Sequence, residues 1–356
     1  MNKEFWEGKT VLITGHTGFK GSWLSLWLQK LNVNLIGISK SIPTNPSMYE
    51  LSKVENGMKS IIGDIRDYDT ILNTINENKP DIVIHMAAQS ILRESYNNPI
   101  ETYDTNIMGT VNILEAIRNC RKSCIVLIIT SDKCYENILS NKNHKENDPM
   151  GGFDPYSSSK GCAELVTSCY RNSFFNPDKF DSHKISIASV RAGNVIGGGD
   201  WAKDRLIPDI IKGIINEKEI KIRNPDSIRP WQFVLDPLYG YITLIEKLEM
   251  NNKEFSEGWN FGPKDEDMKS VKWILSKLEK LWPNKIKLKF ENENEAHEEK
   301  ILKLNCEKAK NKLGWEQKLN LESSLEWTLD WYKAFVNKKD LRKISEEQIE
   351  NYTRLI

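Results

Sequence analysis

The sequence predicts an α/β fold, a doubly wound parallel sheet followed by a smaller C-terminal α/β domain. Short apolar runs rich in β-branched residues alternate with amphipathic stretches between residues 11 and 129, a pattern typical of parallel strands joined by helices. A glycine-rich turn follows the first apolar run directly. Small or polar residues follow the later runs, and ligands bind at such strand ends in sheets of this kind.

The first unit of this pattern is a strand, a turn and a helix. Residues 11–14 predict a buried strand, and residues 22–31 predict a helix with leucines along one face. Between them, Gly15, Gly18 and Gly21 form a GxxGxxG turn. These glycines permit a tight turn, close approach of a pyrophosphate, and close packing of helix on strand. Since a helix N-terminus binds anions through its free N–H groups, the unit predicts a Rossmann dinucleotide site.

His16 lies inside this turn, at a position where dinucleotide sites often carry a small residue. Its imidazole would either crowd the phosphates or donate a hydrogen bond to them, and the sequence leaves both possibilities open. We expect His16→Gly to change the dinucleotide Kd several-fold.

The second strand, residues 34–38, ends at Ser39-Lys40-Ser41. No carboxylate follows it to receive the ribose hydroxyls of the adenosine. Lys40 could meet a 2′-phosphate instead. These residues therefore do not decide whether the cofactor is NAD or NADP, and they slightly favour NADP.

Three more strands and a helix continue the alternation: residues 60–65, 81–89 and 125–129 for the strands and 105–118 for the helix. The carboxyl ends of parallel strands meet at one edge of the sheet. We therefore expect Gly15, Asp64, Ala87 and the segment 130–133 to converge on one ligand site.

Tyr156 and Lys160 form a YxxxK pair. If Tyr156 opens a helix, Lys160 lies one turn further along the same face. The cation would lower the pKa of the tyrosine and make it a proton acceptor near neutral pH. Removal of hydride from a sugar alcohol needs such a base.

Composition narrows the range of partners. The 356 residues contain 50 basic and 50 acidic side chains, so no basic field indicates nucleic acid or an anionic membrane as a partner. No apolar stretch approaches the roughly 20 residues of a membrane span, and residues 1–9 are polar and charged, so we do not expect them to form the apolar core of a signal sequence. The six cysteines form no metal-binding spacing and no disulfide framework. We expect a cytoplasmic protein without a metal.

Several motifs resemble known enzymes. Those typical of the extended short-chain dehydrogenase/reductase superfamily are Gly15-x-x-Gly18-x-x-Gly21, Asp64-Ile65, Ala87-Ala88, Asn106 and Tyr156-x-x-x-Lys160. Longer segments resemble, more narrowly, the CDP-glucose 4,6-dehydratase family: residues 14–23, 130–137, 154–161, 191–201 and 228–232. The resemblance implies conversion of CDP-glucose to CDP-4-keto-6-deoxyglucose with NAD as a recycled hydride carrier. It therefore favours NAD despite Lys40.

The resemblance also implies an organisation. Residues 1–190 would form the NAD-binding Rossmann domain with the catalytic residues, and residues 191–356 the nucleotide-sugar-binding domain, with interleaved segments. Members of the superfamily pair through two long helices, here near 96–118 and 156–174. We expect a homodimer or a dimer of dimers.

The resemblance assigns roles in catalysis. Tyr156, assisted by Lys160, takes the proton of the C4 hydroxyl, and Ser131 donates a hydrogen bond to the C4 oxygen. Asp132 is the acid at C6, so partial burial should raise its pKa. Lys133 stands where related nucleotide-sugar dehydratases carry the glutamate that removes the C5 proton. We hypothesise that Lys133 is this base or assists it.

The remaining site residues also follow from the resemblance. The cofactor-binding set is Gly15, His16, Thr17, Gly18, Phe19, Lys20, Asp64, Ile65, Ala87, Ala88, Gln89, Asn106, Tyr156 and Lys160. The substrate-binding set is Gln89, Ser131, Asn194, Arg205, Leu206, Arg223, Arg229 and Asn260. Residues 294–305 depart from the family pattern.

Three other functions fit parts of these data. A nucleotide-sugar 4-epimerase would keep the glycine turn and YxxxK but would not need Asp132. A 4,6-dehydratase of another nucleoside diphosphate hexose would keep all of them. A non-catalytic dinucleotide sensor would be expected to lack Tyr156, Lys160 or Asp132, and all three are present.

Overall fold

The computed structural model describes residues 1–136, 143–222, 224–282, 287–290 and 302–356. Its centre is a seven-stranded sheet in which every pair of neighbouring strands is parallel. The strands are β1 (Thr10–Thr14), β2 (Asn34–Ser39), β3 (Lys59–Ile62), β4 (Ile82–His85), β5 (Cys124–Ile129), β6 (Ile185–Ala192) and β7 (Gly258–Phe261). Their spatial order is β7-β6-β5-β4-β1-β2-β3, which confirms the predicted parallel α/β sheet.

The longer helices are α1 (Phe19–Gln29), α2 (Tyr68–Asn78), α3 (Leu92–Asn97), α4 (Pro99–Tyr103), α5 (Gly109–Cys120), α6 (Pro155–Ser173), α7 (Leu206–Ile215), α8 (Leu235–Met250), α9 (Val271–Leu281), α10 (Leu321–Val336) and α11 (Leu341–Thr353). Short helical segments are Lys3–Trp6, Met48–Leu51, Asp104–Met108, Asp132–Cys134, Pro177–Lys179, Phe180–His183, Asn252–Phe255, Asp265–Asp267 and Ala309–Leu313. Small two-stranded sheets involve Asn143–His144, Val195–Ile196, Ile220–Ile222, Ile228–Pro230, Gln232–Phe233, Met268–Ser270, Leu288–Phe290 and Lys303–Leu304.

The sheet is covered on both faces, as its sequence pattern predicts. Successive residues of a strand point to opposite faces. Val11 and Ile13 of β1 accordingly belong to one hydrophobic cluster, while Leu12 between them belongs to another. Strands buried on both faces need continuous apolar runs, and every residue of β5 and β6 is buried.

The predicted division near residue 190 falls inside β6. Downstream of it, β7 returns to the sheet and pairs with β6, so that Asn260 lies beside Arg191. The C-terminal half therefore completes the sheet of the N-terminal half, and the two parts are interleaved in the chain.

Several predicted boundaries differ from the structure. The first helix, expected over 22–31, is Phe19–Gln29, and the fourth strand, expected over 81–89, is Ile82–His85. The third strand was expected over 60–65, but β3 ends at Ile62, which pairs with the last residue of its neighbour, Ser39. Asp64 consequently lies in the loop beyond the sheet. The helix expected over 105–118 begins earlier, with the π-helical turn Asp104–Met108 leading into α5.

Within the residues that the structure describes, no helix is both long and apolar enough to cross a membrane. The same part of the chain contains no group of three metal-ligating side chains. All six cysteines carry free thiols.

Candidate active site

The glycine turn is shaped as a binding cradle. Gly15 has a φ of +77°, and a Cβ on it would lie 2.8 Å from the backbone nitrogen of Ala87. A Cβ on Gly21 would lie 2.2 Å from the carbonyl oxygen of Gly15. Helix α1 starts directly after Gly18, and no side chain caps its first N–H groups. A backbone that excludes side chains and offers free donors fits a dinucleotide pyrophosphate.

His16 does not face this cradle. Its ring is fully buried and fills the space above Gly37, where a Cβ would lie 2.3 Å from the His16 Cγ. Its Nδ1 lies 2.9 Å from the Ser39 hydroxyl and its Nε2 lies 2.8 Å from the Ser60 hydroxyl. The two predicted roles at the phosphates, crowding or donation, therefore do not apply. Any effect of His16→Gly on the dinucleotide Kd would pass through Ser39, which accepts a hydrogen bond from the Thr17 backbone N–H at 3.4 Å.

Burial of His16 has a consequence for stability. Desolvation lowers its pKa from 6.5 to about 4, so the folded protein keeps the ring neutral. The unfolded chain takes up a proton as the pH falls through 6.5. Acidification from that pH towards about 4 thus favours unfolding. His85 acts in the same direction, because burial lowers its pKa to about 3.

We expect His16→Gln to weaken this acid sensitivity by about 1–2 kcal/mol between about pH 7 and about pH 5. The measurement is urea unfolding of wild type and variant at both pH values. His183→Gln is the matched control, since His183 is only partly buried and lies outside the sheet. Equal pH dependence in wild type and His16→Gln would contradict the expectation.

Helix α6 carries the tyrosine and lysine as predicted. Asp154 caps it by accepting a hydrogen bond from the Ser157 N–H at 2.9 Å, and Pro155 occupies the first position, where its missing N–H costs nothing. Tyr156 follows, held at its backbone N–H by the Ser95 hydroxyl at 3.1 Å. The buried Lys160 ammonium donates to the carbonyl of Ile129, the last residue of β5, at 3.4 Å.

The pKa of Tyr156 differs from the sequence prediction. Burial raises it to about 12, and the charges of Asp132 and Asp154 add to the rise. A hydrogen bond with Ser131 and the charge of Arg205 oppose it. The prediction that the lysine would lower this pKa below its ordinary value is wrong, because desolvation outweighs the opposing charge of Arg205.

Ser131, Asp132 and Lys133 lie together at the end of β5. Ser131 caps the short helix Asp132–Cys134 by accepting from the Lys133 N–H at 3.2 Å, and its hydroxyl donates to Asp132 Oδ1 at 3.0 Å. Asp132 is buried, with 4% of its surface exposed, as its predicted role requires. A Cβ on Gly193 would lie 2.9 Å from Asp132 Oδ2 and 3.1 Å from Pro230. Gly193, in the loop after β6, therefore packs against the acid, and Pro230 of the strand Ile228–Pro230 packs against Gly193.

Lys20, predicted to bind the cofactor, points its side chain into the protein. Its ammonium donates to the hydroxyl of Tyr241 on α8 at 2.9 Å. Burial lowers the pKa of Lys20 to about 7, and the charges of Lys160 and Arg205 lower it further, while Asp132 opposes them. Its backbone N–H belongs to the first turn of α1, directly after the cradle residue Gly18.

The sequence analysis missed Glu164, which lies one turn beyond Lys160. Its buried carboxylate accepts from the hydroxyls of Thr130 and Ser189 and from Arg191 Nη2 at 2.8 Å. Its charge raises the pKa of Lys160, which burial lowers to about 8. The spacing of four residues was a usable signal, but the partner Arg191 is distant in sequence.

An amide network joins α6 to the loop after β4. Asn106 accepts from the Gln89 N–H at 2.8 Å and donates to the Ser159 hydroxyl at 2.8 Å. The Gln89 side chain donates to the Thr102 hydroxyl at 2.9 Å and accepts from the Ile91 N–H at 2.6 Å. Gln89 thus lies in the loop after β4 and Asn106 in the helical turn Asp104–Met108, and their amides position the loop.

The predicted substrate residues divide into two groups. Arg205 begins α7, and its guanidinium binds Asp200 at 2.9 Å and the Ser90 hydroxyl at 3.3 Å. It lies close enough to Tyr156 for the two groups to influence each other's pKa. Asn194 and Leu206 are half-buried, and Arg229 lies on the strand Ile228–Pro230.

The second group is Asn260, which lies in strand β7 and not in a loop. It is fully buried, its Oδ1 accepts from the Tyr135 hydroxyl at 2.7 Å, and its Nδ2 donates to the carbonyls of His144 and Asn305. With its amide occupied, it is placed to position these segments rather than to touch a sugar. Arg223 and residues 294–301 lie outside the described part of the chain.

Comparison with known proteins adds to this geometry. A family model described as GDP-mannose 4,6 dehydratase matches residues 12–328. The CDP-glucose 4,6-dehydratase of Salmonella typhimurium is 51% identical over 352 residues, which cover 99% of this chain and 98% of that protein.

Solved structures share the fold. The dTDP-glucose 4,6-dehydratase of Bacillus anthracis in complex with NAD has a TM-score of 0.77 at 21% identity, covering 94% of this chain and 100% of that one. A UDP-glucose 4-epimerase of Stenotrophomonas with bound NAD has a TM-score of 0.80 at 19% identity, covering 93% and 99%. At these identities the two structures establish the fold alone.

Proposed function

The chain belongs to the CDP-glucose 4,6-dehydratase family, within the extended short-chain dehydrogenases/reductases, and we propose that it converts CDP-glucose to CDP-4-keto-6-deoxyglucose and water. The observation that carries the proposal is the meeting of two residue sets at one edge of the sheet. Tyr156 and Lys160 on α6 form the redox set, and Ser131, Asp132 and Lys133 after β5 form the elimination set. The 51% identity to the Salmonella enzyme supports the same reaction.

NAD, held in the glycine cradle, would supply a reversible hydride acceptor, which takes the hydride of C4 and gives it back to C6 after the loss of water, as a proton returns to C5. Tyr156 accepts the proton of the C4 hydroxyl as the hydride leaves C4, and Ser131 hydrogen bonds with that phenol. Lys160 holds a positive charge beneath the site, which Glu164 helps to maintain.

The second half of the reaction is loss of water. The ketone at C4 acidifies the C5 hydrogen, and Lys133 removes it as a proton. Asp132 donates a proton to the departing C6 hydroxyl, and Ser131, which donates to Asp132 Oδ1, orients that carboxyl group. Arginine forks suit diphosphates because they donate two hydrogen bonds at once, and Arg205 and Arg229 would bind the substrate in this way.

Incubation of the protein with NAD and CDP-glucose is expected to yield a 4-keto sugar nucleotide that absorbs in alkali. Parallel incubations with UDP-, GDP- and dTDP-glucose measure base preference, and kcat/KM is expected to be highest for CDP-glucose. Recovery of CDP-galactose without the 4-keto product would indicate a 4-epimerase and overturn the proposal.

A homodimer and a reducing, cytoplasmic setting are part of this proposal. Apolar side chains are exposed on the helices expected to pair, namely Tyr96, Ile100, Met108 and Leu165. Exposed apolar surface of this kind marks protein contacts. The free thiols fit a reducing compartment.

A further inference from the structure

Beyond the ends of β2 and β3 lies a cluster of five charged side chains from three parts of the chain. The Lys40 ammonium lies 3.1 Å from Glu101 and 3.8 Å from Asp64. Arg66 binds Asp64 at 2.6 Å and lies within 3.8 Å of both Glu101 and Asp104. Three carboxylates thus surround two cations, a net charge of −1 (+2 − 3).

The position of this cluster gives it a role in cofactor choice. In Rossmann folds a group after the second strand meets the adenosine ribose, where a carboxylate favours the hydroxyls of NAD and a cation favours the 2′-phosphate of NADP. Lys40 follows β2 directly, and 58% of its side chain is exposed. Alone, it would attract a phosphate.

Glu101 opposes the attraction of Lys40 for a phosphate. Glu101 lies on α4, which begins at Pro99. Its carboxylate forms the shorter of the two ion pairs of Lys40. A 2′-phosphate carries about −1.5 to −2 charges. It would have to compete with Glu101 and Asp64 for the lysine and would be repelled by both.

We propose that Glu101, by occupying Lys40 and repelling a 2′-phosphate, makes the site select NAD over NADP although no carboxylate follows β2. The inference rests on the proposed function in taking a dinucleotide to bind the glycine cradle. Surface ion pairs contribute little to stability, so substitutions here should leave the fold intact.

The test is the Kd of NAD and of NADP, measured by calorimetry on the full chain without substrate. In Glu101→Gln, Lys40 is released, and NADP is expected to bind roughly threefold to fivefold more tightly, the size of one exposed charge pair. NAD should bind within about twofold of wild type, since its ribose is uncharged. The gain for NADP should shrink at high ionic strength, because salt screens exposed charges.

Two further variants separate the effect of the Lys40 charge on NADP binding from the effect of removing any exposed charge. Lys40→Met is expected to weaken NADP binding and leave NAD binding unchanged. Glu94→Gln is the matched control, an exposed glutamate on α3 that is outside the cluster, and it should change neither Kd.

The outcomes are distinct. If Glu101→Gln binds NAD normally and its NAD/NADP Kd ratio stays at the wild-type value, Glu101 does not set selectivity and this inference alone is overturned. If the wild type binds neither dinucleotide, the proposed function fails with it.

Discussion

Replacement of Tyr156 by phenylalanine is expected to lower kcat for dehydration of CDP-glucose by about 10²- to 10⁴-fold, the usual contribution of a positioned proton acceptor. The change removes only the hydroxyl that accepts the C4 proton, and the ring continues to fill its site. The Kd of NAD should change far less than kcat, because the glycine cradle that would hold the pyrophosphate is formed by other residues. The measurement is the initial rate of 4-keto product formation at saturating NAD and CDP-glucose.

Tyr103→Phe is the control for this variant. Tyr103 also presents a phenol next to α6, donating to the Ser158 hydroxyl at 3.4 Å, but it lies outside the proposed catalytic set. Its kcat should stay within about threefold of wild type. A loss of less than tenfold in Tyr156→Phe would assign proton removal at C4 to another group.

The raised pKa of Tyr156 sharpens this expectation. At neutral pH the phenol keeps its proton, since burial raises its pKa to about 12. A cation placed beside the phenol would lower that pKa. The basic form of Tyr156 is therefore expected to arise in the ternary complex and not in the free enzyme.

Local spacing was enough to predict much of the site. The GxxGxxG turn requires glycine for local reasons. Gly15 adopts a positive φ, and side chains at Gly15 and Gly21 would collide with neighbouring backbone. The start of α6 at Asp154-Pro155-Tyr156 likewise follows from cap and proline preferences. Such features depend on residues close together in sequence.

Features that depend on distant residues could not be predicted. His16 turns towards the sheet because Gly37 leaves room for its ring and Ser39 and Ser60 bind its nitrogens. The amide of Asn260 is occupied by Tyr135, which lies far away in sequence. No periodicity in the sequence reports these pairings.

The prediction of the Tyr156 pKa failed for a related reason. The sequence argument considered one neighbour, Lys160, at a known helical spacing. A pKa instead sums the desolvation of the whole environment and every nearby charge, and Asp132, Asp154 and Arg205 all contribute here.

Substitution of Lys133 by alanine is expected to abolish elimination while leaving the oxidation half of the site in place. If Lys133 removes the C5 proton, exchange of C5 hydrogen with solvent deuterium should fall by about 10²-fold or more. The measurement is deuterium incorporation at C5, read by NMR, in CDP-glucose incubated with NAD and the variant. Lys179→Ala, which removes an exposed lysine outside the site, should exchange at the wild-type rate.

Asp132→Asn gives the complementary result. The amide cannot protonate the departing C6 hydroxyl, but Lys133 remains, so C5 exchange should persist while formation of the deoxysugar falls by about 10²-fold or more. The two variants together separate proton removal at C5 from hydroxyl loss at C6. Loss of exchange in both would indicate that Asp132 is needed to place Lys133.

The position of Lys133 favours its role as the base. Its backbone N–H is fixed by Ser131, so the side chain leaves the short helix next to the buried Asp132. Full-rate C5 exchange in Lys133→Ala would exclude this assignment and make another group of the site the base.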